Sequence, residues 1–183
     1  MYHLRKLEAR DLDTVERMLV KAKTNMREVL HIDQWQNGYP SRCDFEKDIA
    51  QGKAYAYCDE ADIPVGIATV TAGKDPVYDA VSDGNGEFPG KWRYEDRTAA
   101  AVHRFCVAQE RTRCGVGTSF MQALFGMLAS RGVQSVRIDT HRYNVSMRRM
   151  LQKCGFQEIG VVYVQELTPE RIAYERLLPG RDG

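Results

Sequence analysis

The sequence predicts a single α/β domain with a mixed sheet of about six to seven strands flanked by about four helices. The chain has 183 residues, the size of one domain, and 43% of them are hydrophobic, which is enough for a buried core. Apolar residues recur at helical spacing in some segments and alternate in others. The elements follow in the order βαα, ββ, βαβα and ββ, which combines a parallel crossover with antiparallel hairpins. We expect the domain to span residues 1–178, with residues 179–183 as a flexible tail.

The N-terminal segment is predicted to form one strand and two helices. A strand over residues 2–6 precedes a helix that Asp11 caps and whose apolar residues recur at steps of three and four. Those residues are Leu12, Val15, Met18, Leu19, Ala22, Met26, Val29 and Leu30. Ser41, with Asp44 three residues on, caps a second and shorter helix that Gly52 ends.

A hairpin and a long irregular segment come next. The hairpin strands are predicted over residues 54–58 and 63–71. Residues 73–98 are rich in glycine, proline and aromatic side chains and are predicted to form a long excursion with at most one short strand. A connection of this length inside one domain is typical of a functional segment.

The strand over residues 100–107 is expected to alternate between two faces. One face would hold Val102, Arg104 and Cys106. The other would hold His103, Phe105 and Val107. A tight loop to Gly117 then leads into a helix that ends at residues 131–132.

The last third is predicted to contain three strands and one helix. A strand over residues 134–139 is followed by a helix that Asn144 caps and Gly155 closes. Strands over residues 156–164 and 172–177 complete the sheet.

The composition argues against nucleic-acid and membrane partners. The 26 Lys and Arg residues balance 25 Asp and Glu residues to a net charge of +1, so no basic stripe is expected to bind nucleic acid or anionic lipid. No apolar run reaches the roughly 20 residues of a membrane span, and charges occupy the start, where a secretory signal is apolar. We therefore expect a soluble, cytoplasmic protein.

The five cysteines indicate neither a metal site nor a disulfide framework. Their number is odd, their spacing is wide and no C-x-x-C pair occurs. They are Cys43, Cys58, Cys106, Cys114 and Cys154. Cys106 in an apolar strand pattern and Cys154 at a helix end are expected to pack as small buried side chains. We expect no metal and no cysteine nucleophile.

The loop over residues 109–117 carries the strongest chemical signal. Gly115 and Gly117 lie between a strand end and a helix start, where unpaired backbone amides and the helix dipole favour an anionic phosphate. Arg111 and Arg113 add positive charge beside them, so the local chemistry favours a pyrophosphate group. The third glycine of a dinucleotide fingerprint and the Lys-Ser/Thr of a Walker loop are missing. The alternative is that the two glycines only satisfy the backbone geometry of the helix start.

Residues 102–160 resemble the GNAT superfamily of acyl-CoA-dependent N-acyltransferases. The resemblance combines a strand, a glycine-rich loop, a helix and a second strand with Asn144 and, after ten residues, Gly155-Phe156. Segments around Trp35–Pro40 and Asp139–His141 are similar to a bacterial-type branch of that family.

The resemblance implies a sheet that is splayed at its centre, next to a site for acetyl-CoA as cosubstrate. The splay would lie between the strands over residues 100–107 and 134–139 and admit the thioester arm, while amides of the loop hold the pyrophosphate. The implied cofactor-binding residues are Phe105, Cys106, Val107, Thr112, Arg113, Cys114, Gly115, Val116, Gly117 and Asn144.

Two positions depart from the family pattern. Thr112 stands where the family's loop begins with Arg or Gln, and Arg111 or Arg113 could replace that contact. Leu151 stands where many members have a tyrosine that protonates the departing thiolate, so the general acid is unassigned.

His103 is the predicted general base. An attacking amine must lose a proton, and a histidine that accepts it contributes about 10²–10⁴ in rate. His103 precedes the cofactor-facing strand end, and imidazole titrates near neutrality. The alternatives are a structural, hydrogen-bonded His103, or catalysis by His141 after the next strand.

The resulting hypothesis is an N-acetyltransferase that acts by direct attack of a primary amine in a ternary complex. The amine would belong to a small molecule, a peptide or a protein, and a homodimer through the C-terminal strands is possible. The alternative is a non-catalytic acyl-CoA sensor. Five aromatic residues have two possible roles, either to line an acceptor pocket or to pack in the core. They are Trp35, Tyr39, Tyr78, Trp92 and Tyr94. Three arginines either contact the 3′-phosphate of CoA or are only solvated charges. They are Arg142, Arg148 and Arg149.

Overall fold

The protein forms one mixed sheet with helices on both faces. The structure is a computed structural model and describes residues 1–165 and 169–179. Its strands are β1 (His3–Lys6), β2 (Ala54–Cys58), β3 (Pro64–Ala72), β4 (Ala99–Val107), β5 (Ser135–Thr140), β6 (Gln157–Tyr163) and β7 (Glu170–Leu177). Its α-helices are α1 (Leu12–Glu28), α2 (Arg42–Ala50), α3 (Val116–Ser130) and α4 (Val145–Lys153). Apart from Pro179, the predicted tail lies outside the described residues.

The sheet has seven strands in the order β1-β2-β3-β4-β5-β7-β6. Strands β4 and β5 run parallel, whereas the other neighbouring pairs are antiparallel. The crossover from β4 to β5 runs through α3, as a parallel connection requires. The predicted mixed α/β class is therefore confirmed.

Both faces of the sheet are buried, because successive side chains of each strand point to opposite sides. Tyr55 and Tyr57 of β2 pack into a core with α3 and α4, whereas Ala54, Ala56 and Cys58 pack into a core with α1 and α2. All five residues of β2 are consequently buried. Each large apolar side chain in these cores contributes about 1.5–3 kcal/mol to stability.

Of the two N-caps predicted for the first two helices, the structure confirms the cap of α2 and not that of α1. At α2, the Ser41 amide donates to the Asp44 carboxylate (2.8 Å), which confirms the predicted cap. Asp11 precedes α1 but makes no cap there, so that prediction is wrong. Its carboxylate instead accepts from the Glu8 amide (2.9 Å) and from Arg5 (2.7 Å), which satisfy its oxygens elsewhere.

A bulge interrupts β4 at Arg104. Ile67 of β3 pairs with Cys106 and Thr69 pairs with His103, so two residues of β4 face one residue of β3. Arg104 takes a φ of +52°, a left-handed conformation that is uncommon for a residue with a side chain.

The bulge overturns the predicted alternation of β4. Val102 and Phe105 pack toward α3, whereas Cys106 packs toward α1. His103 stacks on Tyr78, whose side chain belongs to a third and smaller cluster. One inserted residue shifts every later side chain to the opposite face, and the sequence gives no periodicity signal for it.

Strands β4 and β5 separate soon after they meet. Their pairing covers Ala99–Ala101 with Ser135–Arg137 and no later residue of either strand. Strand β5 continues to pair with β7 as far as Thr140. Because a bulge bends the strand that carries it, β4 diverges from β5 and opens the sheet at its centre. This opening is the splay that the resemblance implies.

The long segment between β3 and β4 crosses the sheet edge and contains short 3₁₀ helices over Pro76–Tyr78 and Asp96–Thr98. In place of a strand, it contributes one isolated bridge, between Ser82 and Val161 of β6. The Gly90 amide also donates to the Ile159 carbonyl (2.8 Å). The free edge of β6 is thus partly paired within the chain, which leaves less of it for a partner strand.

No helix within residues 1–165 and 169–179 combines the length and the apolar character needed to cross a bilayer.

Candidate functional site

A cleft of about 330 Å³ lies at the splay. Its walls come from the separated parts of β4 and β5, the loop after α1 and the first turn of α4. The lining includes His103, Phe105, Asp139, Asn144, Trp35 and Tyr39. The fold therefore brings residues from four distant parts of the chain to one opening.

His103 lies in this cleft with a buried carboxylate behind it. Its Nε2 is 2.7 Å from Oδ2 of Asp75, which is 7% exposed. Burial opposes ionisation of Asp75, but hydrogen bonds from His103 and the Val77 amide outweigh it and lower the pKa of the carboxyl. An ionised Asp75 accepts a hydrogen bond from Nε2–H, which leaves the unprotonated Nδ1 of His103 as the basic nitrogen.

Tyr78 connects His103 to a second carboxylate. The two rings stack with centroids 5.4 Å apart, and the Tyr78 hydroxyl donates to Oδ1 of Asp139 (2.7 Å). Burial and the Asp139 carboxylate raise the pKa of Tyr78 well above its usual range, so Tyr78 remains a neutral donor. Asp139 is half-buried and faces the cleft.

The start of α3 presents an open set of backbone amides. Gly115, with a φ of +79°, precedes the helix, and no side chain caps it. Among the described residues, no group accepts a hydrogen bond from the amides of Val116, Gly117 or Thr118. A Cβ at Gly115 would meet no atom within 4 Å, so the space in front of the amides is free of side chains. This arrangement fits the phosphate site predicted from the sequence.

The rest of the loop supports the same arrangement in part. Arg111 and Arg113 form no ion pair within the described residues, and Arg113 has a φ of +62°. Thr112 donates through its hydroxyl to the Gln109 carbonyl (2.9 Å), so its side chain stabilises the loop itself. Cys114 is exposed.

The predicted β4 residues divide between the two faces. Phe105 stacks on Phe120 of α3 (4.9 Å), and Val107 lies close to Gly117. Cys106 is buried on the α1 side, where burial raises the pKa of its thiol to about 12. The Cys106 side chain therefore lies on the face of β4 opposite Phe105 and Val107.

Asn144 has a structural role as well as a place in the cleft. Its Oδ1 accepts from the Met147 amide (3.2 Å) and confirms the predicted cap of α4. Its Nδ2 donates to Gln34 (3.4 Å), which also lines the cleft.

Other candidates from the sequence have structural partners. His141 accepts from the Tyr143 amide (3.2 Å) and does not line the cleft. Arg142 pairs with Glu87 (3.0 Å), and Arg148 pairs with Glu158 (2.8 Å). These contacts favour the structural reading of all three side chains.

Only some of the aromatic candidates line the cleft. Trp35 and Tyr39 line the cleft, whereas Tyr78 is fully buried against His103. The Trp92 indole donates to the Tyr78 carbonyl (2.9 Å), and Tyr94 lies outside the cleft.

Within the part of the chain that the structure describes, one group of possible metal ligands occurs, and it lies away from the cleft. Side-chain atoms of His3, Cys58 and Asp62 lie within 4.8 Å of one another. Arg5 (2.7 Å) and Arg10 (2.9 Å) already bind the Asp62 carboxylate, and burial raises the pKa of the Cys58 thiol to about 12. Two guanidinium groups and a neutral thiol do not favour a cation.

Asp75 is the functional candidate that the sequence did not reveal. It precedes Pro76 and caps a 3₁₀ helix, and an Asp-Pro pair after a strand is a recognisable helix start. That signal predicts a turn, but it does not predict that the turn lies beside His103.

Comparisons with known proteins agree with this geometry. A model of the Acetyltransferase (GNAT) family matches residues 21–156. A GNAT-family acetyltransferase from Streptococcus agalactiae is 27% identical, with a TM-score of 0.83 over 96% of this chain and 95% of that chain. No curated protein matches the sequence significantly.

Two further solved structures share the fold at lower identity. The ribosomal-protein-S18-alanine N-acetyltransferase from Escherichia coli is 16% identical, with a TM-score of 0.61 over 100% of this chain and 99% of that chain. A phosphinothricin acetyltransferase from Sinorhizobium meliloti, solved with AcCoA, is 14% identical, with a TM-score of 0.67 over 100% and 91%.

Proposed function

The chain belongs to the acetyltransferase (GNAT) family, and on that premise we propose that it transfers an acetyl group from acetyl-CoA to a primary amine. The observation that carries the proposal is the pairing of His103 with a buried Asp75 at the lip of the splayed strands. A base inside the cleft is required for amine attack but not for CoA binding alone.

The α3 start and the edge of β4 would hold the cosubstrate. The open amides before Thr118 and the charges of Arg111 and Arg113 suit its phosphates. The edge of β4 that has separated from β5 offers backbone groups to an extended amide-bearing arm, as an added strand does. Acetyl-CoA supplies a thioester whose carbonyl carbon is open to an amine.

His103 would remove the proton of the attacking amine. Asp75 orients the imidazole through Nε2, so that Nδ1 is left to accept that proton. Asp75 then stabilises the imidazolium that forms, which is the role of the carboxylate in a nucleophile–histidine–carboxylate triad.

The departing thiolate does not obtain its proton from the position that the family pattern suggests. Leu151 is fully buried in the core between the sheet and α3. A thiol with a pKa of about 8–9 leaves readily as a thiolate near neutral pH, so solvent is a sufficient proton source.

The acceptor would enter between the loop after α1 and the end of β5. Trp35 and Tyr39 supply apolar surface there, and Asp139 supplies a negative charge that attracts a protonated amine. This combination suits an amine attached to an apolar or aromatic group, either in a small molecule or at the end of a peptide.

Thiol release from acetyl-CoA across a broad amine panel tests the proposal. We expect steady turnover that requires both substrates and a product heavier by one acetyl group. Binding of acetyl-CoA without turnover of any amine would instead support a non-catalytic acyl-CoA sensor. That function is the second candidate because the buried Leu151 replaces the tyrosine that serves as general acid in many family members.

Cysteine alkylation tests the location of the cosubstrate. In the folded protein we expect iodoacetamide to modify the exposed Cys43 and Cys114, because Cys58, Cys106 and Cys154 are buried and burial raises the pKa of these three thiols. Acetyl-CoA at about ten times its Kd should slow the reaction of Cys114 about tenfold, because about a tenth of the protein remains free.

Cys43 on α2 is the internal control, and its rate should not change. Peptide mass spectrometry measures both rates in one sample. Equal rates at Cys114 with and without acetyl-CoA would contradict the placement at the α3 start.

A further inference from the structure

A second cleft, of about 420 Å³, lies away from the splay and shares no lining residue with the first. It is formed where α2 and α3 end and includes Gly52, Lys53, Tyr55, Arg131 and Gly132. The volume is within the range of small-molecule sites, about 300–1,000 Å³.

The Tyr55 hydroxyl in this cleft has one unused hydrogen-bonding group. The hydroxyl accepts from Nζ of Lys6 (2.6 Å) and from Arg131 (2.7 Å), and both of these groups can only donate. Two lone pairs are thereby occupied, and the O–H itself has no acceptor among the described residues. Tyr55 is only 4% exposed, so this donor is a buried group without a protein partner.

Three positive charges lie around Tyr55, and Lys53 among them interacts electrostatically with the Asp75 carboxylate. Among the described residues, no carboxylate forms an ion pair with Lys6, Lys53 or Arg131. Lys6 also lies over the Tyr55 ring, 3.8 Å from its centroid. Arg131 and Lys53 therefore lie in the lining of the cleft with the Tyr55 hydroxyl, and Lys6 reaches that hydroxyl from beside the lining.

The helix ends explain part of this arrangement. Lys6 donates to the Gly52 carbonyl after α2, and Arg131 follows the last turn of α3, where cations are generally favourable. Neither helix end provides an acceptor for the Tyr55 O–H. A ligand with several acceptor oxygens satisfies that donor together with the remaining donors of Lys6 and Arg131.

We propose that this second cleft binds a small phosphorylated molecule, with the phosphate group held by the Tyr55 hydroxyl, Lys6 and Arg131. A phosphate monoester carries a charge of about −1.5 to −2 and three acceptor oxygens, which matches two or three cations and one O–H donor. A carboxylate has a single charge and two oxygens and matches them less well. The proposal is independent of acetyl transfer.

Residue-resolved NMR titration with inorganic phosphate tests the site, because the amides of Gly52 and Gly132 report on it separately from those of Gly115 and Gly117. We expect saturable shifts of the first pair. Arg131→Gln and Tyr55→Phe should each weaken the affinity measured there at least about tenfold, as the loss of one charge-assisted hydrogen bond does. Arg113→Gln, near the α3 start, should leave that affinity unchanged.

Any of the following results would overturn the proposal. One is the absence of saturable shifts at Gly52 and Gly132. A further one is equal affinity in the unaltered protein and in the two variants. Another is that acetate binds as tightly as phosphate. The last is phenolate absorption at neutral pH that Tyr55→Phe removes, since a phenolate would neutralise the cations itself and would have no O–H to donate.

Discussion

His103→Gln is expected to lower kcat by about 10²–10⁴, the contribution of a well-placed general base. Glutamine can still donate to Asp75, so the buried carboxylate keeps a partner, but an amide has no basic nitrogen. The pH–rate profile is expected to lose its acidic limb, because the decline in acid reflects protonation of the imidazole that accepts the amine proton. Steady-state kinetics over a pH range, with saturating acetyl-CoA, measures both effects.

His141→Gln provides the matched control. His141 follows the neighbouring strand and lies outside the cleft lining, so this variant should retain kcat and the acidic limb. Asp75→Asn should lower kcat with little change in KM and shift the acidic limb to lower pH, because a neutral amide stabilises the imidazolium less than a carboxylate does. An unaltered profile in His103→Gln would assign the base to another group, and Asp139, a carboxylate that lines the cleft, would then be the candidate.

Gly115→Glu is expected to abolish binding of CoA while the protein remains folded. The residue lies in open space, so the side chain meets no neighbour, but its carboxylate would occupy the region in front of the α3 amides and repel phosphates. The φ of +79° adds about 1–2 kcal/mol of backbone strain for a residue with a side chain. Calorimetric titration with CoA measures the affinity, and thermal unfolding measures the stability.

Gly86→Glu is the control for Gly115→Glu, because it introduces the same backbone strain at a position far from the α3 start in sequence. Gly86 has a φ of +87° and also has no atom within 4 Å of a built Cβ, but it lies in the segment between β3 and β4. We expect similar destabilisation and unchanged CoA affinity in this variant. If Gly115→Glu bound CoA as tightly as Gly86→Glu does, the α3 start would not be the phosphate site.

The β4 bulge links the fold to the proposed chemistry. Without the extra residue at Arg104, Phe105 would face α1 instead of Phe120, and β4 would keep a straight path beside β5. Non-glycine residues in left-handed conformations are concentrated at functional sites, where surrounding contacts hold them. Arg104 is held in this way by Asp48 (2.6 Å), which connects α2 to the strand.

Local patterns predicted most of the elements and the phosphate site. Capping at Ser41 and Asn144, the glycines before α3 and the spacing to Gly155-Phe156 depend on residues that are close in sequence. The prediction for Asp11 failed because the helical backbone already starts at Ala9, so Asp11 has helical dihedral angles and its carboxylate accepts from the Glu8 amide and from Arg5.

By itself, the sequence determined the α/β class, the family resemblance and the position of the amide-rich helix start. Tertiary structure alone decided that Asp75 lies behind His103, that β4 bulges at Arg104 and that Lys6 and Arg131 meet at the Tyr55 hydroxyl. The physical reason is range. A helix cap or glycine turn is fixed by backbone geometry over a few residues, whereas contacts across 28, 49 or 76 residues depend on strand register, which a single inserted residue reverses.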